Sequence, residues 1–294
     1  MTFRTEYSAK PAAFTLNPTR PVMLLGSCFA DNITQRMQLC RWDAHNPFGV
    51  LFNPLSIAKV LNLAMSCDID AGSSDNLVPD SIFENEGIYH SWLFDSKKSS
   101  RSLDETRERI FGSLRVFRET LPQCEALFIT FGTAWCYFLN NKKDYVVANC
   151  HKQPQTMFTR RRICIEEITA EWKSLIVRIH ERYPELRIIF TVSPVRHLKD
   201  GFIDNSRSKA TLILAVEQLC SAFDCCSYFP AYEIVNDDLR DYRFYASDLA
   251  HPSDMAIEYI WEKFLSTYIS AEGNRQLRQG EKQTRRERHR DIIS

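Results

Sequence analysis

The sequence predicts an α/β fold in which a doubly wound parallel sheet is covered by helices on both faces. Near-continuous apolar runs over residues 22–25, 126–131 and 187–192 read as strands buried on both sides, the habit of parallel sheets. Helical patterns of 10–18 residues alternate with them. No repeat and no Gly- or Pro-rich linker divides the 294 residues. One domain over residues 1–270 is therefore expected, with a basic, flexible tail over 271–294.

Taken in order, residues 1–20 read as an irregular lead-in containing Pro11 and Pro18. The first strand follows and closes on Gly26, and a helical pattern runs over residues 29–39. A loop rich in turn formers spans 43–49. Asn53-Pro54 then supplies an N-cap and a proline at the first helical position, ahead of Leu55, Ala58, Leu61 and Met65 at helical spacing. Residues 68–100 are polar and read as a surface excursion with a small hairpin around residues 89–94. Ser102-Leu103-Asp104-Glu105 has the form of a capping box and opens a helix to residue 120. A strand is expected at 126–131, a helix at 166–183, and a strand at 187–192 ending on Ser193-Pro194. A helix at 206–223, a strand at 225–229 and a last helix at 252–269 complete the pattern. Between Arg275 and Arg290 seven Lys/Arg face two Glu, which reads as a solvated end.

Composition narrows the function classes. Hydrophobic residues make up 44% of the chain, enough for a sizeable core, and formal charge balances at +0. No global field favours nucleic acid, and no uncharged run approaches the roughly 18 apolar residues of a membrane span. The opening Met1-Thr2-Phe3-Arg4-Thr5-Glu6-Tyr7 lacks the basic-then-apolar pattern of a secretory signal. Ten scattered cysteines without a C-x-x-C pair then suggest reduced thiols and a cytoplasmic location. Neither a GxGxxG nor a P-loop pattern calls for a nucleotide, and no cofactor is expected.

Two turns carry chemistry. Gly26-Ser27-Cys28 stands between a strand and a helix, where backbone N–H groups and a helix N-terminus stabilise an anion. Near the other end of the chain, Asp248 and His251 stand three residues apart ahead of the final helix. A carboxylate there can accept the imidazole Nδ1–H and leave Nε2 free to take a proton. With His251 at the helix N-cap, the positive end of the helix favours the neutral ring a general base needs. In a doubly wound sheet both turns fall beyond the C-terminal ends of strands and can meet across the rim.

Asn149-Cys150-His151-Lys152 lacks a second pair at zinc spacing, so no metal is expected there. The loop reads instead as a substrate contact, His151 and Lys152 offering charge to a carboxylate or phosphate. Arg196 and His197, following another strand, are placed at the same pocket. Trp135 and Tyr137 read as packing residues.

Gly26-Ser27-Cys28-Phe29-Ala30 spells the signature of the GSCFA domain family. Asn46-Pro47-Phe48-Gly49, Phe131-Gly132-Thr133-Ala134-Trp135, Asn149-Cys150-His151-Lys152 and Ser193-Pro194-Val195 resemble its further motifs. The resemblance runs from about Phe3 to Tyr268. That family is similar to the SGNH/GDSL hydrolases, esterases and acyl-transferring enzymes on a three-layer, flavodoxin-like α/β/α fold. The resemblance implies an esterase or deacylase acting on a small-molecule or saccharide acyl substrate. An acyltransferase using the same residues and a non-catalytic ligand-binding protein are the alternatives.

Laying Gly26-Ser27-Cys28 on the superfamily's G-D-S turn implies Cys28 as nucleophile. A shift of one residue would give that role to Ser27. A thiol at a helix N-terminus near a histidine is expected to have a lowered pKa. Gly49 matches the oxyanion glycine, with Asn46 holding its loop. Gly132-Thr133-Ala134 lacks the superfamily's asparagine, so the Thr133 hydroxyl or Asn149 is expected to replace it. Nothing in the sequence fixes the oligomeric state.

Overall fold

The computed structural model describes residues 5–66 and 78–293. Its central sheet contains β1 (Val22–Gly26), β2 (Ala44–His45), β3 (Ala126–Phe131), β4 (Arg187–Val192) and β5 (Cys226–Tyr228). The strands lie in the order 2-1-3-4-5, each neighbouring pair parallel. This is the flavodoxin-like doubly wound order, with its switch point between β1 and β3. The helices are α1 (Cys28–Leu39), α2 (Pro54–Ser66), α3 (Leu103–Thr120), α4 (Ile165–Arg182), α5 (Gly201–Ala222), α6 (Asp254–Tyr268) and α7 (Ala271–Ile293).

The period of two along each strand divides the core into two layers. Met23 and Leu25 of β1, with Leu127, Ile129 and Phe131 of β3, pack against apolar faces of α2, α3, α4 and α5. Val22 and Leu24, with Ala126 and Phe128, point to the opposite face and meet α1 and α6. Every residue of β1 and β3 is buried. No helix among the described residues is long and apolar enough to cross a membrane.

Local signals fix several boundaries where the sequence places them. Asn53 Oδ1 accepts from Ser56 N–H at 2.8 Å as α2 begins at Pro54. At α3, Ser102 Oγ accepts from Glu105 N–H at 3.3 Å. Glu105 itself turns to Ser100 and Arg109, so only half of the expected box closes. Ser102→Ala is expected to cost about 1 kcal/mol, read as a lower urea midpoint at unchanged slope.

Other elements differ from the sequence reading. Ala44–His45 lies inside the expected loop yet pairs with Val22 and Met23, and Gln38 Nε2 donates to Ala44 O at 2.8 Å. Helix α5 begins at Gly201 rather than 206, and α6 begins at Asp254, capped by Ser253 Oγ. The expected hairpin pairs Ile82–Asn85 with Ile88–Ser91, while the excursion's residues 68–77 lie outside the described residues. A three-stranded antiparallel sheet of Trp135–Leu139, Val146–Val147 and Phe158–Arg162 was not anticipated. The expected loose tail is instead helix α7, docked through Leu277, which is 2% exposed. At Gly280 an added Cβ would lie 2.3 Å from the Cys40 carbonyl oxygen, so glycine lets α7 approach the end of α1. Arg36 of α1, itself buried, joins Glu281 of α7 at 3.0 Å and Glu258 of α6 at 2.9 Å.

Candidate active site

The C-terminal end of β1 is built around a glycine. Gly26 has φ +137°, and a Cβ there would lie 2.2 Å from Thr130 O on β3. Only glycine lets the two strands run this close at the switch point. Ser27 follows as the N-cap of α1, 1% exposed, its Oγ accepting from Phe29 N–H at 3.3 Å. That hydroxyl is buried and accepts the cap bond. Cys28 is the first helical residue and is half-buried.

The expected lowering of the Cys28 pKa is not found. Burial raises it, and this outweighs the helix N–H groups of Cys28 and Phe29 and the charge of Lys209, which lower it; Asp31 adds to the rise. The resting side chain is therefore a thiol that needs a base.

Asp248 organises the loop that holds His251. Its Oδ1 accepts from the N–H groups of Ala250 and His251, each at 2.9 Å. Its Oδ2 stands 2.6 Å from His251 Nδ1. The two N–H bonds, then the imidazole, hold the carboxyl well below the usual carboxylate range. An ionised carboxylate only accepts, so Nδ1 carries a proton, and Nε2 is the ring atom turned away from the carboxylate. His251 precedes the N-cap Ser253 by two residues, so the ring is set by Asp248 and not by the helix end.

Arg196 ties this loop to the end of β4. Its backbone N–H donates to Ala250 O at 3.0 Å and its Nη1 to Leu249 O at 3.1 Å. The guanidinium also lies 5.4–5.7 Å from the ring centroids of Phe202, Tyr242 and Tyr245. It acts as a clamp between loops rather than as a free charge. His197, next in sequence, packs edge-on to Phe52, and its pKa falls to about 4. Burial is the main cause, followed by the charges of Lys209, His251 and Arg160.

Lys209, not singled out in the sequence, is 1% exposed and donates to Gly132 O at 2.6 Å and Ser193 O at 2.7 Å. Its charge acts on both Cys28 and His197, and His197 also senses His251. The signal that would have found Lys209 is a lysine on the α5 stripe of Ser208, Leu212, Ala215 and Val216.

The remaining candidates divide. Gly49 has φ +71°, and a Cβ there would lie 2.3 Å from Asp95 Oδ2, which accepts from Val50 N–H. Asn46 donates to Asp31 Oδ1 at 2.5 Å, fastening that loop to the first turn of α1. The N–H groups of Gly132 and Thr133 both donate to Phe52 O, at 2.8 and 3.0 Å. Thr133 Oγ1 accepts from Trp135 N–H and faces Ser208 Oγ at 3.1 Å, so its hydroxyl is engaged inside the fold rather than offered to an oxyanion. Asn149 Oδ1 accepts from His151 N–H at 2.8 Å. His151 is 8% exposed, bonds Ser91 O at 2.7 Å and packs on His90 and Phe83. Burial lowers its pKa, so His151 offers no charge to a substrate. Lys152 is exposed beside it.

Comparison with known proteins gives a family and a loose set of structural neighbours. No curated protein matches the chain. A carbohydrate esterase family 3 structure from Talaromyces cellulolyticus is 8% identical, covering 83% of this chain and 94% of its own, at a TM-score of 0.38. A carbohydrate esterase family 2 enzyme plus carbohydrate-binding domain from Corynascus thermopiles (Myceliophthora fergusii) is 13% identical, covering 86% and 66%, at 0.40. Likeness this loose does not speak to activity. The model of the GSCFA family matches residues 21–264, a span that includes both the Gly26-Ser27-Cys28 turn and the Asp248–His251 pair. This chain belongs to the GSCFA family.

Proposed function

We propose that the protein is an acyl-ester hydrolase in which Cys28 is the nucleophile, His251 the general base and Asp248 the carboxylate that orients it. The observation that carries this reading is the 2.6 Å bond from His251 Nδ1 to Asp248. It frees Nε2 for proton transfer at the same sheet rim where Cys28 heads α1. Burial of the Ser27 hydroxyl in its cap favours Cys28 over Ser27.

In this mechanism the Cys28 S–H proton passes to His251 Nε2 as sulfur attacks the acyl carbon. The carbonyl electron pair moves onto oxygen, which the N–H groups of Cys28 and Gly49 receive. Collapse expels the alkoxide, which takes the proton from His251, and leaves a thioester on Cys28. Water, deprotonated by His251, then releases the acid. Transfer to a saccharide hydroxyl or an amine is the same chemistry with another acceptor.

The test is incubation with small esters and thioesters, followed by mass analysis of the Cys28 peptide. An acyl adduct on Cys28 that breaks down in water supports hydrolysis. Breakdown accelerated by an added sugar or amine assigns transfer instead. No adduct, with turnover unchanged in Cys28→Ala, overturns Cys28 as the nucleophile, and no adduct with no turnover of any ester or thioester leaves a ligand-binding protein. Asp248→Asn is expected to lower kcat/KM by about a hundred- to ten-thousandfold, because the amide favours the wrong imidazole tautomer. A steady-state comparison with the parent checks it.

A further inference from the structure

We propose that exposed apolar residues gathered at the His251 loop form a collar for the alcohol side of the substrate, so that the ester cleaved carries an alkyl chain on its leaving group. The inference rests on the Cys28–His251 reading above and names the substrate class of that site. Among the described residues nine large hydrophobic side chains are exposed. Six of them, Leu198, Phe202, Ile203, Tyr242, Leu249 and Met255, fall within residues 198–203 and 242–255, the two stretches that Arg196 draws together. Phe202 alone is 70% exposed. Folded chains seldom gather apolar groups on one part of the surface without a use for them.

Contacts place this collar at the imidazole's own loop. The Arg196 guanidinium lies 5.5 Å from the Phe202 ring and 5.7 Å from that of Tyr242, while its Nη1 donates to Leu249 O at 3.1 Å. Tyr245 pairs antiparallel with Pro252, and Ala246 N–H donates to His251 O at 2.7 Å, which closes the loop on His251. Leu249, two residues before the imidazole, has φ +57°, a left-handed conformation that glycine or asparagine adopts more readily. Its side chain is nevertheless 47% exposed, so neither backbone ease nor core packing accounts for a leucine there. The path of the proton decides which part of the ester meets the collar. In the proposed reaction His251 hands its proton to the departing alkoxide, so that oxygen lies within hydrogen-bond reach of the ring and its substituent lies over the His251 loop. The acyl group stays on Cys28, at the head of α1. Leu198, Ile203, Leu249 and Met255 are aliphatic and offer a sugar neither a hydrogen bond nor a ring face, which favours an alkyl chain.

The experiment compares kcat/KM for ethyl acetate, hexyl acetate and ethyl hexanoate, each below its solubility limit, in the full chain and in Phe202→Ser and Leu249→Asn, with Tm recorded for every protein. The parent is expected to prefer hexyl acetate to ethyl acetate by about tenfold, as the added methylenes become partly buried. It should also prefer hexyl acetate to its isomer ethyl hexanoate, which carries the longer chain on the acyl side. Each variant is expected to lower the hexyl-to-ethyl ratio by about threefold. Asparagine accepts the left-handed conformation, so Leu249→Asn keeps the loop backbone. Equal kcat/KM for hexyl and ethyl acetate in the parent, or a ratio unchanged in both folded variants, overturns the collar. A preference for ethyl hexanoate, or faster turnover of an acetylated sugar than of hexyl acetate, overturns it as well. Absence of turnover with every ester sinks the hydrolase reading and this inference together, whereas turnover indifferent to the alcohol chain sinks only the collar.

Discussion

Cys28→Ala is expected to lower acyl-ester turnover by about a thousandfold or more, the scale seen when a nucleophile is removed from a triad. The residue heads α1 with its thiol half-buried, and its raised pKa makes proton removal by His251 part of the proposed reaction. His251→Ala should therefore fall to a similar level, and the double variant little further, because the two act as a unit. Ser27→Ala provides the contrast. Its Oγ caps Phe29 N–H at 3.3 Å, so the expected loss is about 1 kcal/mol of stability with turnover within about tenfold of the parent. A stopped assay with small thioesters on the parent and the four variants reads the turnover, and urea unfolding of Ser27→Ala reads the stability. Full activity in Cys28→Ala alongside a dead Ser27→Ala would move the nucleophile one residue back.

Gly26→Ala is expected to cost more than about 4 kcal/mol, or to yield no folded protein. The new Cβ would meet Thr130 O at 2.2 Å and Thr130 Cβ at 2.9 Å, at φ +137°. Relief requires β1 to move off β3 at the middle of the sheet, where five paired residues run from Val22 to Gly26. Gly87→Ala is the control. Its φ is +75° but a Cβ there meets nothing within 4 Å, so only the left-handed backbone penalty of about 1 kcal/mol remains. Urea unfolding of the two variants should separate them clearly. Similar midpoints would mean that the β1–β3 contact relaxes without cost.

The parts of this fold that could be read from sequence are those whose burial is uniform. Residues 126–131 and 188–192 are mostly apolar because both their faces are covered, and the strands occupy those positions. The antiparallel sheet escaped notice because Phe158–Arg162 is Phe-Thr-Arg-Arg-Arg, with four of its five residues exposed. Its arginines cover Trp135, Tyr137 and Phe138 through guanidinium–ring contacts, which leave no period-two signature. Helix α7 was hidden by its charge, since Leu277, Gly280 and Glu281 form only a narrow strip among basic residues.

At the candidate site, Gly26-Ser27-Cys28 and Asp248-x-x-His251 were legible because each is local, its partners lying within three residues. Lys209 was not, since its partners, Gly132 and Ser193, lie 77 and 16 residues away. Thr133 and His151 were plausible donors by composition. Their hydrogen bonds are consumed by neighbours that only folding brings together.

The guanidinium of Arg36 ties the C-terminal helix to the elements that carry both candidate turns. One side chain grips the helix headed by Cys28, the helix that follows the His251 loop and the last helix of the chain. The helix that Cys28 heads and the helix behind the His251 loop are thus suspended, with the basic end, from a common knot.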